Sequence, residues 1–289
     1  MMKIAKHSIL LFCCLAAVFS ARGQISLGQH ELGFTAGGMN YIGDLNNESM
    51  FDKPSLAGGF FYRLNFDNRW SMRFDADYGH VSGGDPDYLK RRNLSFRSYI
   101  LEASLRVEFN FFPFSMREDQ FLWTPYVFGG LGFFSFNPQA YFTDPYSGES
   151  DWYDLQPLGT EGQGTILEPE RTPYTLKQVS MPFGLGVKYH PTKDITLSAE
   201  YGFRRTWTDY LDDVSTTYVD NSQLAYLNGD VAAGLADRSG EVEPGFVNPA
   251  GMKRGDDTLN DWYAYFNVSA SVSFDVLFGW LKKKRCDIK

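Results

Sequence analysis

Hydrophobic and polar residues alternate one by one along several long stretches of this chain. In residues 262–275, Phe266 and Val268 share one face of the segment, and Asn267 and Ser271 share the other. Because successive side chains of a β-strand point to opposite faces, this alternation predicts a strand with one apolar and one polar face.

The same alternation recurs along the chain and predicts eight strands. The predicted strands are 30–41, 55–66, 70–79, 99–112, 124–136, 179–189, 195–204 and 262–275. Short connections at 67–68, 113–123 and 190–194 alternate with long ones at 42–54, 80–93, 138–177 and 207–260. An even strand number with this alternation is typical of outer-membrane barrels. We therefore predict an all-β fold, an eight-stranded antiparallel transmembrane barrel with short periplasmic turns and long extracellular loops.

The sequence of a soluble barrel would show the same alternation, but with its apolar face inside. The charged residues on the polar face distinguish a soluble barrel from a membrane barrel. Lysine-rich faces are usual in water, whereas balanced arginine and carboxylate side chains suit ion pairs in a confined lumen. Four of the five cations on this face are arginines, and five carboxylates oppose them. The predicted lumenal charges are Arg63, Arg73, Asp75, Asp77, Glu102, Arg106, Glu108, Lys188, Glu200 and Arg204.

The aromatic residues support a membrane-spanning barrel. They make up 17% of the chain, and the 28 glycines that accompany them favour strands and turns over helices. Aromatic residues also gather near predicted strand ends, as in the two interfacial girdles of such barrels. These residues are Trp70, Trp123, Tyr189 and Trp280 at the turn end, and Tyr41, Trp207 and Trp262 at the loop end.

The first 23 residues have the three parts of a secretory signal. A basic start is followed by the apolar run 8–20 and by the small residues Ala21 and Gly23, so we expect cleavage before Gln24. The predicted plan is a signal peptide at 1–23, a barrel at 24–281 and a basic periplasmic tail at 282–289. These features predict a protein of the outer membrane of a Gram-negative cell.

Removing the leader changes the charge and the cysteine content. The leader carries three cations and no carboxylate, so the formal net charge of −8 becomes −11. A balance this acidic argues against nucleic acid as a partner. Of the three cysteines only Cys286 remains, which excludes an internal disulfide and a cysteine-based metal cluster.

The interior of an eight-stranded barrel is just wide enough to be filled by side chains. Ten charged residues in that space are expected to pair and to exclude a channel, and a conducting pore is the alternative. A membrane enzyme is a further alternative, because His80 is followed by Ser82, Asp85 and Asp87. We expect no enzymatic activity and no cofactor.

An acidic cluster follows the seventh predicted strand. Asp209, Asp212, Asp213 and Asp220 carry oxygen ligands that suit Ca²⁺, but their spacing is not that of an EF-hand loop. The favoured interpretation is a solvated acidic loop, with calcium binding as the alternative.

Seven segments spread over most of the chain form a recognisable combination. They are 31–34, 40–45, 94–98, 108–113, 124–130, 157–164 and 208–215. The two loop segments are the specific ones, with Gly159, Thr160, Glu161 and Gly162 in the first and Asp209, Tyr210, Asp212 and Asp213 in the second. Together the segments resemble the PorG family, the outer-membrane barrel of the type IX (Por) secretion system of Bacteroidota. Nothing is carried over to the variable part at 221–258.

The resemblance implies a non-enzymatic structural role. Members of that family tie a periplasmic ring, formed by a lipoprotein and its partner subunit, to the outer membrane and its lipid. By geometry the partner contacts are expected at the periplasmic side, including Met116, Arg117, Glu118, Asp119, Lys282, Lys283, Lys284 and Arg285. The basic tail has two interpretations of equal weight: a contact for an acidic partner, and a solvated end that keeps the barrel at the membrane interface. The alternative function is that of a small OmpA-like envelope-structural or adhesion barrel.

Overall fold

The computed structural model describes residues 29–45, 54–85, 91–115, 121–143 and 148–274. The predicted signal peptide, the turn residues 116–119, the basic tail and Trp280 lie outside the described residues. Within the described ranges, no helix is long and apolar enough to cross a membrane.

Nine strands form one antiparallel sheet in the described part of the chain. They are β1 (Gln29–Ile42), β2 (Ser55–Asn65), β3 (Trp70–Gly84), β4 (Ser95–Asn110), β5 (Trp123–Thr143), β6 (Ser150–Asp154), β7 (Lys177–Thr192), β8 (Ile195–Thr206) and β9 (Trp262–Ser273). The strand order is β4-β3-β2-β1-β9-β8-β7-β5, and pairing of β4 with β5 closes the circle. The prediction of a closed eight-stranded antiparallel barrel is confirmed. The ninth strand, β6, was not predicted and pairs only with the last part of β5.

Three strands extend towards the long loops by at least four residues more than the alternation predicts. β3 continues to Gly84, β4 begins at Ser95, and β5 continues to Thr143. The ladder between β3 and β4 stays in register to the pair Gly84–Ser95. In these extensions the inward side chains are apolar as well. The two faces of the strand therefore no longer differ in polarity, and the alternation fades.

The barrel has a turn end and a loop end. At the turn end, Asp67 closes the connection between β2 and β3 by accepting hydrogen bonds from the backbone N–H groups of Arg69 (2.7 Å) and Trp70 (2.8 Å). Such a side-chain turn is a common use of aspartate in tight connections. Nearby, the ring of Phe114 stacks on the imidazole of His190, with 3.7 Å between the centroids. The start of β1 and the end of β9, the first and last described strands of the chain, also lie at this turn end.

The outer wall of the barrel is apolar. Phe60 is 75% exposed, Leu131 65% and Leu185 63%, and they point away from the lumen. The apolar face is therefore outside and the charged face inside, as the sequence predicts for a membrane barrel and unlike a soluble one. Among the predicted girdle residues, Trp70, Trp123, Tyr189 and Trp207 are about half exposed, but the assignment of Tyr41 was wrong. The Tyr41 side chain is fully buried in the lumen, where polar partners satisfy its hydroxyl.

The lumen changes character along its length. Towards the turn end its side chains are charged, whereas towards the loop end they form an apolar core. That core contains Met39, Tyr41, Val81, Phe96, Ile100, Phe134, Phe136, Tyr263 and Tyr265.

Two long connections cover the loop end, and we call residues 155–176 and 207–261 the cap. The cap contains two short helices, α1 (Asn221–Asn228) and α2 (Asp230–Ala236), with Asp220 capping the first by accepting from the backbone N–H of Gln223. Leu211, Val214 and Leu235 of the cap pack into the apolar core of the lumen. The cap therefore closes the mouth of the barrel by burying hydrophobic surface.

Candidate functional site in the barrel lumen

All ten predicted lumenal charges lie inside the barrel, and each is at most 3% exposed. We call them, together with Glu31, the lumenal charge network. Glu31 is 2% exposed and was missed in the sequence, because the alternation in 30–41 is weak and its charge was not assigned to a face. An inward position for Glu31 follows from its register opposite Arg63 in β2.

At the turn end, the network is a chain of alternating charges. Arg63 contacts the carboxylates of Glu31 and Glu108, both at 2.9 Å. Lys188 reaches the same Glu108 from the opposite wall at 2.6 Å and also donates to Asn110 at 3.0 Å. Because these residues come from four strands, the chain of contacts crosses the lumen.

In the middle of the barrel, two arginines share two carboxylates. Arg106 donates two 2.9 Å hydrogen bonds to Asp75 and a third, also 2.9 Å, to Glu200. Arg73 contacts the same pair, at 2.7 Å from Asp75 and 3.3 Å from Glu200. Tyr126 completes the cluster by donating its hydroxyl to Glu200 at 2.6 Å. A two-fold hydrogen-bonded arginine–carboxylate pair is the strongest geometry for such contacts.

Nearer the loop end, most contacts to the lumenal carboxylates come from hydroxyl groups instead of cations. Glu102 lies 3.5 Å from Arg204 and accepts hydrogen bonds from Ser180 (2.8 Å) and Tyr263. Asp77 accepts from the hydroxyl of Thr35 at 3.1 Å. This layer lies between the ion pairs nearer the turn end and the apolar core nearer the loop end.

Arginine also packs on aromatic rings inside the lumen. The Arg73 guanidinium lies 3.7 Å from the centroid of the Phe61 ring, and that of Arg106 lies 4.4 Å from Phe128. The rings need glycine neighbours. A Cβ atom at Gly202 would lie 2.6 Å from the ring of Phe128, and one at Gly186 would lie 2.7 Å from the ring of Tyr126. The glycines of β7 and β8 therefore make room for the network.

In the cap, the first loop motif surrounds a buried carboxylate. Glu161 accepts hydrogen bonds from the backbone N–H groups of Ser215 (2.9 Å) and Thr216 (3.0 Å) and from the guanidinium of Arg254 (3.0 Å). Gly159 and Gly162 flank it with φ angles of 57° and 80°, a conformation that favours glycine. These glycines let the loop turn tightly enough to bury the charge.

The second loop motif meets the first. Asp213 accepts hydrogen bonds from the hydroxyl groups of Thr160 and of Tyr174 (2.7 Å), while Tyr210 donates to Glu161 at 3.3 Å. Burial raises the pKa of Asp213 to about 6, although the nearby Arg254 guanidinium opposes that shift. The two motifs, about fifty residues apart in sequence, therefore form one cluster in the cap.

A shared phenol holds two further carboxyl groups of the cap. The Tyr41 hydroxyl lies 2.6 Å from Asp212 and 2.7 Å from Asp261. A phenol has one proton to donate, so both contacts are hydrogen bonds only when one carboxyl group carries a proton. Burial raises the pKa of Asp212 and of Asp261, and the negative charge of Asp212 raises that of Asp261 further.

The interpretation of this loop as a solvated acidic segment was wrong for two of its residues. Asp212 and Asp213 are at most 1% exposed, because the cap folds them against the mouth of the barrel. Asp209 is partly buried, and Asp220 caps a helix. In the described ranges, no group of three or more histidine, cysteine, aspartate or glutamate side chains is arranged to hold a metal ion.

Of the residues of the enzyme alternative, His80 and Asp85 take part in other contacts in the described part of the chain. His80 points outward from the wall and packs edge-on against Tyr78, with 5.4 Å between ring centroids. Asp85 instead accepts hydrogen bonds from Arg92 (2.8 Å) and from the backbone N–H of Leu94 (2.7 Å). Asp87 lies outside the described residues.

Comparison with known proteins gives a family and a set of similar folds. The family described as a domain of unknown function (DUF6089) matches residues 6–154, just over half of the chain, and the chain belongs to this family. No curated protein matches it. Similar solved structures include Ail, the attachment invasion locus protein of Yersinia pestis, in complex with the heparin analogue sucrose octasulfate (10% identity, 86% of this chain and 99% of that chain, TM-score 0.39).

Two further solved structures resemble the chain at the same 10% identity. Neisserial surface protein A has 10% identity over 85% of this chain and 97% of that chain, with a TM-score of 0.39. The Escherichia coli outer membrane protein W has 10% identity over 84% of this chain and 97% of that chain, with a TM-score of 0.33. The fold of the present chain rests on its own closed strand pairing.

Proposed function

We propose that this DUF6089 protein is a structural barrel of the outer membrane that anchors the periplasmic ring of a type IX secretion system. The observation that carries the proposal is the filled lumen, whose ten predicted charges are each at most 3% exposed. An interior filled by ion pairs leaves no room for a solute to pass. The barrel then acts through its two ends and its wall.

The apolar wall supports a place in the outer membrane. Side chains such as Phe60, Leu131 and Leu185 would expose a continuous hydrophobic surface to water, whereas lipid covers it at no cost. The predicted secretory signal agrees with export. We assign the turn end to the periplasm and the loop end to the cell exterior, as in barrels with short periplasmic turns.

The resemblance to PorG gains support from the cap. Its two specific loop motifs contact each other through Glu161 with Ser215 and through Thr160 with Asp213. Residues that depend on each other in this way are expected to occur together. The two motifs therefore count as one feature, a packed cap, that the resemblance would carry over as a unit.

Photo-crosslinking in intact cells tests the anchoring role. A photoreactive amino acid at Leu122, which is 57% exposed at the turn end, is compared with one at Tyr226, which is 89% exposed in the cap. The proposal expects the ring lipoprotein or its partner subunit to be captured from Leu122 and not from Tyr226. Failure to capture either subunit from Leu122, and from Asp67 as a second turn-end site, would contradict it.

The adhesion alternative rests on the outer surface of the cap. Ile166 is 80% exposed, Tyr226 89% and Leu259 67%, so these large side chains are accessible to a partner at the surface. The same experiment separates the two functions. An envelope or adhesion barrel would give crosslinks from Tyr226 to surface molecules and none from Leu122 to ring subunits.

A further inference from the structure

A cavity of about 550 Å³ opens at the loop end, between the cap and the connection from β3 to β4. Its size is in the range that holds small organic ligands. The lining residues are Asp44, Arg91, Arg92, Tyr218, Asn248, Met252, Lys253, Arg254, Gly255 and Asp256. The anchoring role makes no use of this cavity.

Cations outnumber carboxylates in the lining. Four of the lining side chains, at 91, 92, 253 and 254, are cationic, whereas Asp44 and Asp256 are acidic. The carboxylate of Asp44 is held at the wall, where it accepts a hydrogen bond from the backbone N–H of Asp256 at 2.6 Å. The lining side chains by themselves therefore carry more positive than negative charge, and each cation also contacts a carboxylate.

The two inner arginines build the walls. Arg92 donates to the carbonyl oxygens of Asp44 (3.0 Å) and Arg254 (2.5 Å) and pairs with Asp85, so it ties three connections together. The Arg254 side chain is 2% exposed and is held by Glu161. Because both guanidinium groups are fixed, the cavity has a preformed shape.

The two outer cations are exposed and weakly held. Arg91 is 63% exposed and lies 3.1 Å from Glu243, and Lys253 is 65% exposed and lies 3.1 Å from Asp256. Exposed ion pairs contribute little stability, so both side chains can exchange their present partners for a ligand at low cost. They form a pair of mobile cations at the rim.

Tyr218 supplies an unused polar group next to this rim. Its side chain is 3% exposed, and its hydroxyl has no hydrogen-bond partner in the described part of the chain. Burial raises the pKa of Tyr218 to about 12, so the hydroxyl keeps its proton at neutral pH. A buried hydroxyl without a partner is unfavourable, and a ligand oxygen that reaches it by displacing the side chains over it would remove that penalty.

We propose that this cavity binds a small organic anion, with its carboxylate or phosphate group between Arg91 and Lys253 and its body against Tyr218 and Met252. Because the proposed function places the loop end outside the cell, such a ligand would be an acidic sugar or a free phosphate compound. The proposal rests on that placement but not on contact with the periplasmic ring, which concerns the opposite end of the barrel.

Isothermal titration calorimetry of the full chain in detergent micelles tests the site, with glucuronate, inorganic phosphate and glucose as probes. We expect glucuronate to bind at least about tenfold more tightly than glucose, because a charge-assisted hydrogen bond contributes that much. Phosphate binding as tight as that of glucuronate would identify a free-anion site, whereas weaker phosphate binding would identify an acidic-sugar site. Equal binding of glucuronate and glucose, or no binding of either anion, would overturn the proposal.

Matched variants locate the binding. The double variant Arg91→Gln with Lys253→Gln should weaken glucuronate binding about tenfold or more, and Tyr218→Phe should weaken it several-fold without loss of folding. Lys177→Gln, which removes an exposed cation at the start of β7, serves as the control and should leave binding unchanged. If binding is the same in all three variants, the anion sits elsewhere and the assignment is wrong.

Discussion

The lumen and the cap both bury carboxylates, but they neutralise them in different ways. In the lumen, arginine and lysine lie directly against the acids, as Arg106 does with Asp75 and Glu200. In the cap, the buried acids depend mainly on backbone N–H groups, hydroxyl groups and protons. Glu161, Asp212, Asp213 and Asp261 are all buried there, with Arg254 as a buried cation beside them.

The two ways of neutralising buried carboxylates suit the two regions to different roles. Arginine stays charged at any physiological pH, so a lumen closed by arginine pairs remains closed under most conditions. Carboxyl groups that depend on protons are sensitive to pH. The lumen is therefore the rigid part of the molecule, and the cap is the part whose stability can respond to the medium.

The largest effect is expected from a broken ion pair in the lumen. Arg106→Met leaves Asp75 and Glu200 without their best partner and should lower the free energy of unfolding by about 3–5 kcal/mol. Urea unfolding in lipid vesicles, followed by gel mobility of the folded barrel, measures this change. Arg205→Met, which removes an exposed arginine of the neighbouring layer, is the control and should cost less than about 1 kcal/mol. Similar losses in both variants would mean that the lumenal pairs do not stabilise the barrel.

A smaller and local effect is expected from the first loop motif. Glu161→Gln removes the charge that holds Arg254 and two backbone N–H groups, and should destabilise the cap by about 2–3 kcal/mol. Limited proteolysis should then cut within 207–261 faster, while the barrel keeps its resistance. Glu170→Gln, at an exposed position of the same connection, should behave like the unchanged protein. If Glu161→Gln also makes the barrel strands sensitive to protease, the cap and the barrel unfold as one unit and the comparison fails.

The smallest effect is a pH dependence confined to the cap. The pKa of Asp213 is raised by burial to about 6 and that of Asp209 to about 8, from ordinary values near 3.8. The folded cap thus binds more protons than the open cap between about pH 4 and pH 8, so its stability falls as the pH rises through this window. Amide hydrogen exchange of 208–215, corrected for the intrinsic rate, should become about tenfold faster between pH 5 and pH 8.

Asp209→Asn should reduce the pH dependence of amide exchange in the cap, because an amide at that position does not titrate. Exchange in the lumenal strands should stay unchanged over the same range and provides the internal reference. A pH response of equal size in strands and cap would remove the distinction between the two regions.

The sequence predicts the barrel well where one face of a strand is polar. Arg73, Asp75 and Asp77 alternate with apolar residues in β3, and the structure places them inside as expected. Beyond them, Val81 faces the lumen although it is apolar, so the alternation no longer distinguishes the two faces. The strand ends near the cap could not be predicted for this reason.

The cap could not be derived from local patterns. Asp212 and Asp213 look like part of a solvated loop, because the partners that bury them are distant in sequence: Tyr41 is in β1 and Thr160 in the other half of the cap. A resemblance could point to both loop motifs, but only the fold shows that they touch. Glu31 was missed because the alternation in 30–41 is weak, and only its pairing opposite Arg63 shows that it faces the lumen.

Conductance of the purified protein in planar lipid bilayers tests the sealed lumen most directly. The ion pairs that cross the barrel, such as Arg106 with Asp75 and Glu200, predict that the inserted protein carries no steady current at any salt concentration at which it stays folded. A stable, voltage-independent current from the unchanged protein would contradict the sealed lumen and favour a pore.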